Sequence, residues 1–412
     1  MRIAMIGQRA ILEAGGIERH VEELSTRLAA SGHEVIVYCR PPSTIRPAEY
    51  RGVRLVTLPT IAQKHLATFV HSLLATFDGL RRGVEVFHYH AIGPGFFARV
   101  PRAAGRAVVT TVHALDWQKS AKWGWIARGF LRLSERIAVR YSHHTVAVSR
   151  GIAAYLRSAY EIEPVFIPNG AKPPDLGSVS AEDVLRKYAL HPGGYFLYVG
   201  RLVPEKGCHY LIDAIGRVRL PLDLIVVGAH TFTREYAARL RATASSRVRF
   251  VEPLAYDTLS ALYRHAYACV VPSDVEGLSQ ALLEMMAHGR CVIASDIPAN
   301  LELFQEGGDV GVLFRAGDVD HLARALEWAV AHSQEVQRLG SNAQKFVESR
   351  YSWDHITRAT EALYRSALNG SGAKVSYPKS ESEPLRVNAQ LSEPVTITSF
   401  SQRGRYRGEH GK

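Results

Sequence analysis

Short apolar runs recur along this chain with helix-compatible stretches between them, and no other feature restricts its fold so strongly. Ile3 to Ile6, Val35 to Tyr38, Val53 to Leu58, Val86 to Tyr89, Ala107 to Val112 and Thr145 to Val148 form a first series. Runs this short and this continuously apolar fit strands buried on both faces, the condition of a parallel sheet covered by helices. Between the first two, Glu18 to Ala30 sets Val21, Leu24 and Leu28 at helical spacing and stops near Gly32. Strand, turn, helix, strand is one βαβ unit, and its repetition predicts an α/β sheet. A second series begins at Tyr195 to Gly200 and continues through Leu224 to Val227, Val248 to Val251, Ala268 to Val271, Cys291 to Ala294 and Gly311 to Phe314. It repeats the first architecture, so two α/β domains with a cleft between them are expected.

The length agrees, because 412 residues exceed what one hydrophobic core usually serves. Between the series, Pro164 to Gly194 contains Pro168-Asn-Gly170, Lys172-Pro-Pro174 and His191-Pro-Gly-Gly194, which is turn and linker chemistry. The expected domains are therefore 1–168 and 169–352. A last helix from about 353 to 368 precedes a tail, 369–412, whose Ser, Pro, Glu and Arg content predicts disorder. No apolar run approaches the ~20 residues that cross a bilayer. The start lacks a long apolar region and a cleavage site, and the four cysteines lack C-x-x-C spacing, so a cytoplasmic protein is expected. The net charge of +11 favours anionic partners in general. No nucleic-acid-binding module accompanies it, and nucleic acid is not an expected partner.

Three loops carry the chemistry. Pro272 to Gly289 follows the run Ala268 to Val271 and opens a helix that ends at Gly289. The backbone N–H groups of Gly277, Leu278 and Ser279 lie at that helix's start, where unpaired donors and a positive dipole end favour a phosphate or a sugar hydroxyl. Glu276 precedes the helix and Glu284 lies about two turns in, roughly 12 Å apart along the backbone. That separation suits two different hydroxyl-bearing groups better than a glycosidase carboxylate pair. The second loop, Val199 to Gly207, sets Arg201 and Lys206 five residues apart after a strand. A planar fork and a point charge together can neutralise a departing diphosphate. The third, Ala14-Gly15-Gly16, lets backbone approach a ligand but is not the dinucleotide fingerprint G-x-G-x-x-G, which excludes a nicotinamide oxidoreductase reading. His113 ends the run Val108 to Val112 at a carboxyl strand end, where open α/β sheets bind ligands. His88 and His90 share a strand face, yet no third metal ligand stands at a readable spacing. Asp318-Val-Asp320 looks like a D-x-D metal site, but it precedes a helix start where Asp is a favoured cap. No metal and no cofactor are expected.

The E-x7-E of Glu276 and Glu284, with the helix and the Val-Ile-Ala-Ser295 strand after it, resembles the retaining glycosyltransferase family 4 of GT-B fold. The resemblance runs from residue 1 to about 368. It implies two Rossmann-like domains facing a central cleft, with the last helix returning to the first domain. It implies that Glu276 holds the donor sugar, Glu284 the nucleotide ribose, and Arg201 and Lys206 the diphosphate. It further implies that His113 hydrogen-bonds the transferred sugar and that the Gly15-Gly16 loop faces the donor diphosphate and the acceptor. A finer resemblance, carried by Ile6 to Ala10, Gly15 to Glu18 and Val112 to Gly124, points to a bacterial subfamily of rhamnosyl and related transferases in capsule and exopolysaccharide assembly.

The last motif interleaves Trp117, Trp123 and Trp125 with Lys119, Lys122 and Arg128. Amphipathic aromatics beside cations suit an anionic membrane surface or a lipid-pyrophosphate acceptor, with Trp117, Lys119, Lys122 and Trp123 on the acceptor side. Packing of a core-facing helix is the other reading of the same residues. The sequence thus predicts a hexosyl or deoxyhexosyl transfer from a nucleotide-diphosphate sugar to a glycan or lipid-linked acceptor. A sugar-nucleotide epimerase or hydrolase, or a non-catalytic glycan-binding subunit, are its alternatives.

Overall fold

A computed structural model describes residues 1–13, 15–41, 47–61, 66–115, 125–172, 174, 179–228 and 234–370. The first sheet holds β1 (Arg2–Ile6), β2 (Glu34–Cys39), β3 (Glu49–Tyr50), β4 (Val53–Thr57), β5 (Val86–His90), β6 (Ala107–Val112), β7 (His144–Ala147) and β8 (Val165–Phe166). The second holds β9 (Tyr195–Val199), β10 (Asp223–Val227), β11 (Val248–Val251), β12 (Ala268–Val271), β13 (Val292–Ser295) and β14 (Gly311–Phe314). Their orders are β3-β4-β2-β1-β5-β6-β7-β8 and β11-β10-β9-β12-β13-β14. All pairs are parallel except β3 with β4. Each sheet therefore starts at its centre, winds to one side and then returns to wind to the other.

Strand alternation divides each sheet between two cores. In the second, Phe196, Tyr198, Leu224, Val226 and Val270 pack on one face. Tyr195, Leu197, Ile225, Val227, Cys269 and Val271 pack on the other. The first sheet does the same, with Ile3, Met5, Val35 and Val37 on one side and Ala4, Ile6, Ile36 and Tyr38 on the other. Both faces are covered, which is why the strands read as continuous apolar runs rather than alternating ones.

The C-terminal helix Trp353–Asn369 joins the first sheet's core: Trp353, Ile356, Leu363 and Tyr364 lie in one cluster with Ile3, Met5, Val21 and Leu24. Gly170 makes room for it, since a Cβ there would sit 2.5 Å from the Trp353 ring. A single bridge pairs Ala171 with Ser352, so the two passages of chain between the sheets run side by side.

The linker region is more structured than its turn residues suggest. It contains β8 and the helix Ala181–Lys187, whose Ser180 accepts a cap hydrogen bond from Asp183 N at 3.3 Å. Glu182 and Asp183 in its first turn and Arg186 and Lys187 in its last match the helix dipole. Two helices follow the second sheet, Val319–Ala331 and Ser333–Arg350, separated where His332 leaves helical geometry and stacks on Trp328. Asp318 caps the first of them, accepting from His321 N at 2.9 Å, and Asp320 pairs with Arg217.

Burial of histidines makes the fold acid-sensitive. Desolvation lowers His20, His71 and His288 to about 4, and His88 to about 3, from an ordinary 6.5. The unfolded chain then binds more protons than the folded one between about pH 6.5 and 4, so stability is full above 6.5 and lost as pH falls. Thermal melts from pH 7.5 to 4.5 should show a midpoint flat above pH 7 and falling steeply below 6.5. A midpoint that rises on acidification would contradict these assignments.

Candidate active site

Where a doubly wound sheet reverses its winding, the loops leaving the two central strands diverge and open a crevice. In the second sheet those strands are β9 and β12, and the loops after them are the two singled out by sequence, 200–207 and 272–279. They are laced together. Asp274 N donates to Glu205 O at 3.0 Å. Gly207 has φ +66°, and a Cβ on it would lie 1.8 Å from the Pro272 carbonyl oxygen, so only glycine allows this approach. Lys206 Nζ is ion-paired with Glu276, and Ser273 Oγ donates to the same carboxylate oxygen at 2.8 Å. Arg201 is exposed at the start of the 200–207 loop.

Ser279 caps the helix Gln280–Ala287 by accepting from Leu282 N at 3.4 Å. Ahead of it, Gly277 lies against the first domain: a Cβ there would meet the His113 carbonyl oxygen at 1.9 Å. The Leu278 carbonyl accepts from Asn169 Nδ2 at 2.9 Å, and the Leu278 side chain packs between the cores of both sheets. The Gly277 to Ser279 segment is therefore also an interdomain contact. His113, half-buried, follows β6 on the opposite wall.

Glu284 is buried rather than solvated, facing Tyr263 Oη at 3.3 Å and Arg19 of the first domain at 3.6 Å. Burial raises its pKa, partly offset by Arg19. Arg19 in turn is held charged against the cost of its own burial by Glu284, Glu22 and Glu23, and its guanidinium lies over the Tyr256 ring at 4.6 Å. Gly15 is the residue before the helix Gly16–Ala30, and a Cβ on Gly16 would lie 3.8 Å from Gln280 Cβ across the cleft. The φ of 165° at Gly15 is ordinary extended backbone, so no left-handed turn calls for glycine there.

The structure thus brings Arg201, Lys206, Glu276, Gly277, Leu278, Ser279 and Glu284 to one domain's edge, with His113, Gly15 and Gly16 on the other. Trp117, Lys119, Lys122, Trp123 and the residue Ala14 lie outside the described residues. Sequence reasoning missed the residues that join the walls: Asn169; Gln280, which donates to Gly170 O at 2.6 Å; and Glu302, which accepts from Arg150 N at 2.7 Å and Gly151 N at 3.2 Å. Glu302 satisfies the open start of the helix Arg150–Tyr160. Asn169 sits in the Pro-Asn-Gly read as a turn, and nothing local distinguishes it. The third imidazole beside His90 also escaped notice: His20 and His113 both approach it, from 70 and 23 residues away.

Residues 14–173 match the family described as Glycosyltransferase Family 4, and residues 193–332 the one described as Glycosyl transferases group 1. A glycogen synthase of Mycobacterium tuberculosis is 27% identical over 90% of this chain and 96% of its own. Among solved structures, a sucrose-phosphate synthase from Thermosynechococcus elongatus superposes with TM-score 0.76 at 22% identity, over 90% of this chain and 100% of that one. HepE of Anabaena in complex with UDP-glucose superposes with TM-score 0.73 at 19% identity, over 89% and 100%. These structural likenesses bear on the fold, and the two domain matches fall on the two sheets in turn. The chain is a glycosyltransferase of GT-B fold, carrying a Glycosyltransferase Family 4 domain followed by a Glycosyl transferases group 1 domain.

Proposed function

We propose that this glycosyltransferase moves a hexose or deoxyhexose from a nucleotide-diphosphate sugar to a glycan acceptor, lipid-linked and destined for the cell surface, with retention of configuration and without a metal. The observation that carries this reading is the Lys206–Glu276 pair at the winding reversal of the second sheet, beside the capped start of a helix. A cation and a carboxylate so joined offer adjacent charges to a diphosphate and to sugar hydroxyls. The Anabaena protein that holds UDP-glucose shares the fold, which supports a nucleotide-sugar donor.

In this mechanism Arg201 and Lys206 take the negative charge that develops on the diphosphate as the glycosidic bond breaks. Glu276 orients the sugar, Glu284 the ribose, and His113 reaches the sugar from the other wall. Lys206 and Ser273 already engage Glu276, which disfavours it as a covalent nucleophile. The acceptor oxygen attacks the anomeric carbon from the face that the phosphate leaves, and its proton passes to a departing phosphate oxygen. The two cations supply the charge stabilisation that a divalent ion would otherwise provide. The acceptor side is the first domain. Its helix Trp125–Tyr141 exposes Arg128, Arg132, Arg136, Arg140, Phe130 and Leu133 while burying Glu135. Cations around apolar side chains support peripheral contact with an anionic membrane on its cytoplasmic face.

The test is a panel of nucleotide sugars, with and without a lipid-linked acceptor extract, read as nucleoside diphosphate release. One donor should turn over in an acceptor-dependent way and survive EDTA, with the product's anomeric proton retaining the donor's configuration by NMR. Acceptor-independent release of free sugar would instead support a hydrolase. Lys206→Ala and Glu276→Gln should each lower kcat by about 10²–10³, the effect of removing a transition-state charge partner. Wild-type rates in both would remove the assignment.

Gly277→Ala tests cleft closure separately. Its methyl collides with the His113 carbonyl, and a misplacement of about 1 Å can cost ~10²-fold in rate. We expect kcat/KM to fall at least that far with an unchanged far-UV circular dichroism spectrum. A fully active variant would show that this approach is not needed for turnover.

A further inference from the structure

Three imidazoles meet on the first-domain wall of the cleft, and we infer that His20, His90 and His113 form a binding site for a divalent transition-metal ion such as Zn²⁺, which inhibits by withdrawing His113. This rests on the reading of His113 as a sugar contact. One nitrogen of each ring lies within 4.8 Å of the other two. The ring centroids are 4.7, 5.4 and 5.5 Å apart. A tetrahedral zinc with bonds of 2.0–2.1 Å places two ligating nitrogens about 3.3 Å apart and their ring centres about 5 Å apart. His90 Nδ1 and His113 Nε2 stand at 3.2 Å. The rings are already spaced for an ion between them.

Their tautomers suit a metal as well. Asn169 donates its amide nitrogen to the Leu278 carbonyl, so its Oδ1 faces His20 Nδ1 at 3.0 Å. His20 Nδ1 must then carry the proton, which leaves the lone pair on Nε2. A metal-binding histidine whose second nitrogen is held by an outer oxygen acceptor is the usual arrangement. His90 Nε2 lies 3.4 Å from Met5 Sδ, a weak acceptor, and this frees Nδ1 as the basic nitrogen toward His113. His113 would shift its own proton to Nδ1, which its half-exposed position allows. His20 and His90 are buried, so the ion would arrive from the cleft and keep solvent as its fourth ligand. Through Asn169 and Leu278 the occupied site would also hold the two domains together. The ion takes no part in sugar transfer; it competes for one of the groups that transfer uses.

The experiment titrates the full, tag-free chain with Co²⁺ and then Zn²⁺. Wild type should bind one equivalent of Co²⁺ with the strong visible absorption of a low-coordinate ion, Zn²⁺ should displace it, and the thermal midpoint should rise with Zn²⁺. His113→Gln, at the half-buried corner of the triangle, and His20→Gln should each weaken binding at least ~10-fold and abolish the Zn²⁺-dependent rise in midpoint. No Co²⁺ spectrum in wild type, or equal binding by both variants with wild-type circular dichroism, overturns the site. With a donor in hand, turnover should stop at saturating Zn²⁺ and return with EDTA, and unchanged turnover overturns the inhibitory role. Because the Co²⁺ readout needs no activity, a chain that binds the ion but turns over no nucleotide sugar loses the proposed function and keeps the site.

Discussion

Everything at the cleft depends on the parallel pairing of β1 with β5 and of β9 with β12, the strands between which each sheet reverses its winding. Parallel pairing sends every strand's carboxyl end, and the start of every following helix, to the same edge. Two such edges facing one another supply backbone donors and loop side chains from both sides with no specialised element. The Lys206–Glu276 pair, the Ser279 cap and His113 are decorations of that geometry. They would have no common focus if either sheet were wound in one direction only.

Apart from the Leu278 side chain, which packs on the cores of both domains, the contacts between the edges have a distinct character. Asn169 to Leu278, Gln280 to Gly170 and Glu302 to the start of the helix Arg150–Tyr160 are all hydrogen bonds to backbone, and Arg19–Glu284 and Lys172–Glu23 are charge pairs. Water can replace each of these, whereas it cannot replace the apolar clusters within each sheet. The domains therefore separate at lower cost than either unfolds, which is what a cleft that opens to a ligand needs.

How much of this could be read from the chain follows from how local the information is. The strands were legible because burial on both faces leaves four or more consecutive apolar residues, as in Ile3 to Ile6 or Ala268 to Val271. The two loops after β9 and β12 were legible because glycine, cation and carboxylate fall within a few residues of a strand end. β3 and β8, two residues each, carry no periodicity at all. The helix Ala181–Lys187 was hidden among prolines and glycines although its cap and charges are in order. Asn169 and His20 stand 149 residues apart in sequence and meet only in the folded chain. No spacing rule reports such a contact. Glu284 shows the same limit: its place on the helix after Glu276 was readable, but it lies just over one turn in, not two, and its burial against Arg19 was not readable.

The placement of the helix Trp353–Asn369 has a consequence for the order in which this protein can be built. Ile3 and Met5 are made before any strand of the second sheet, yet their core is completed by Ile356, Leu363 and Tyr364, which follow that whole sheet. The second sheet, by contrast, has all its strands once Phe314 is made. Synthesis that ordinarily favours the amino-terminal domain here leaves it with an open apolar flank until the second sheet has been made. The later domain can thus finish first, and the earlier one is sealed by a segment that has already travelled past its neighbour.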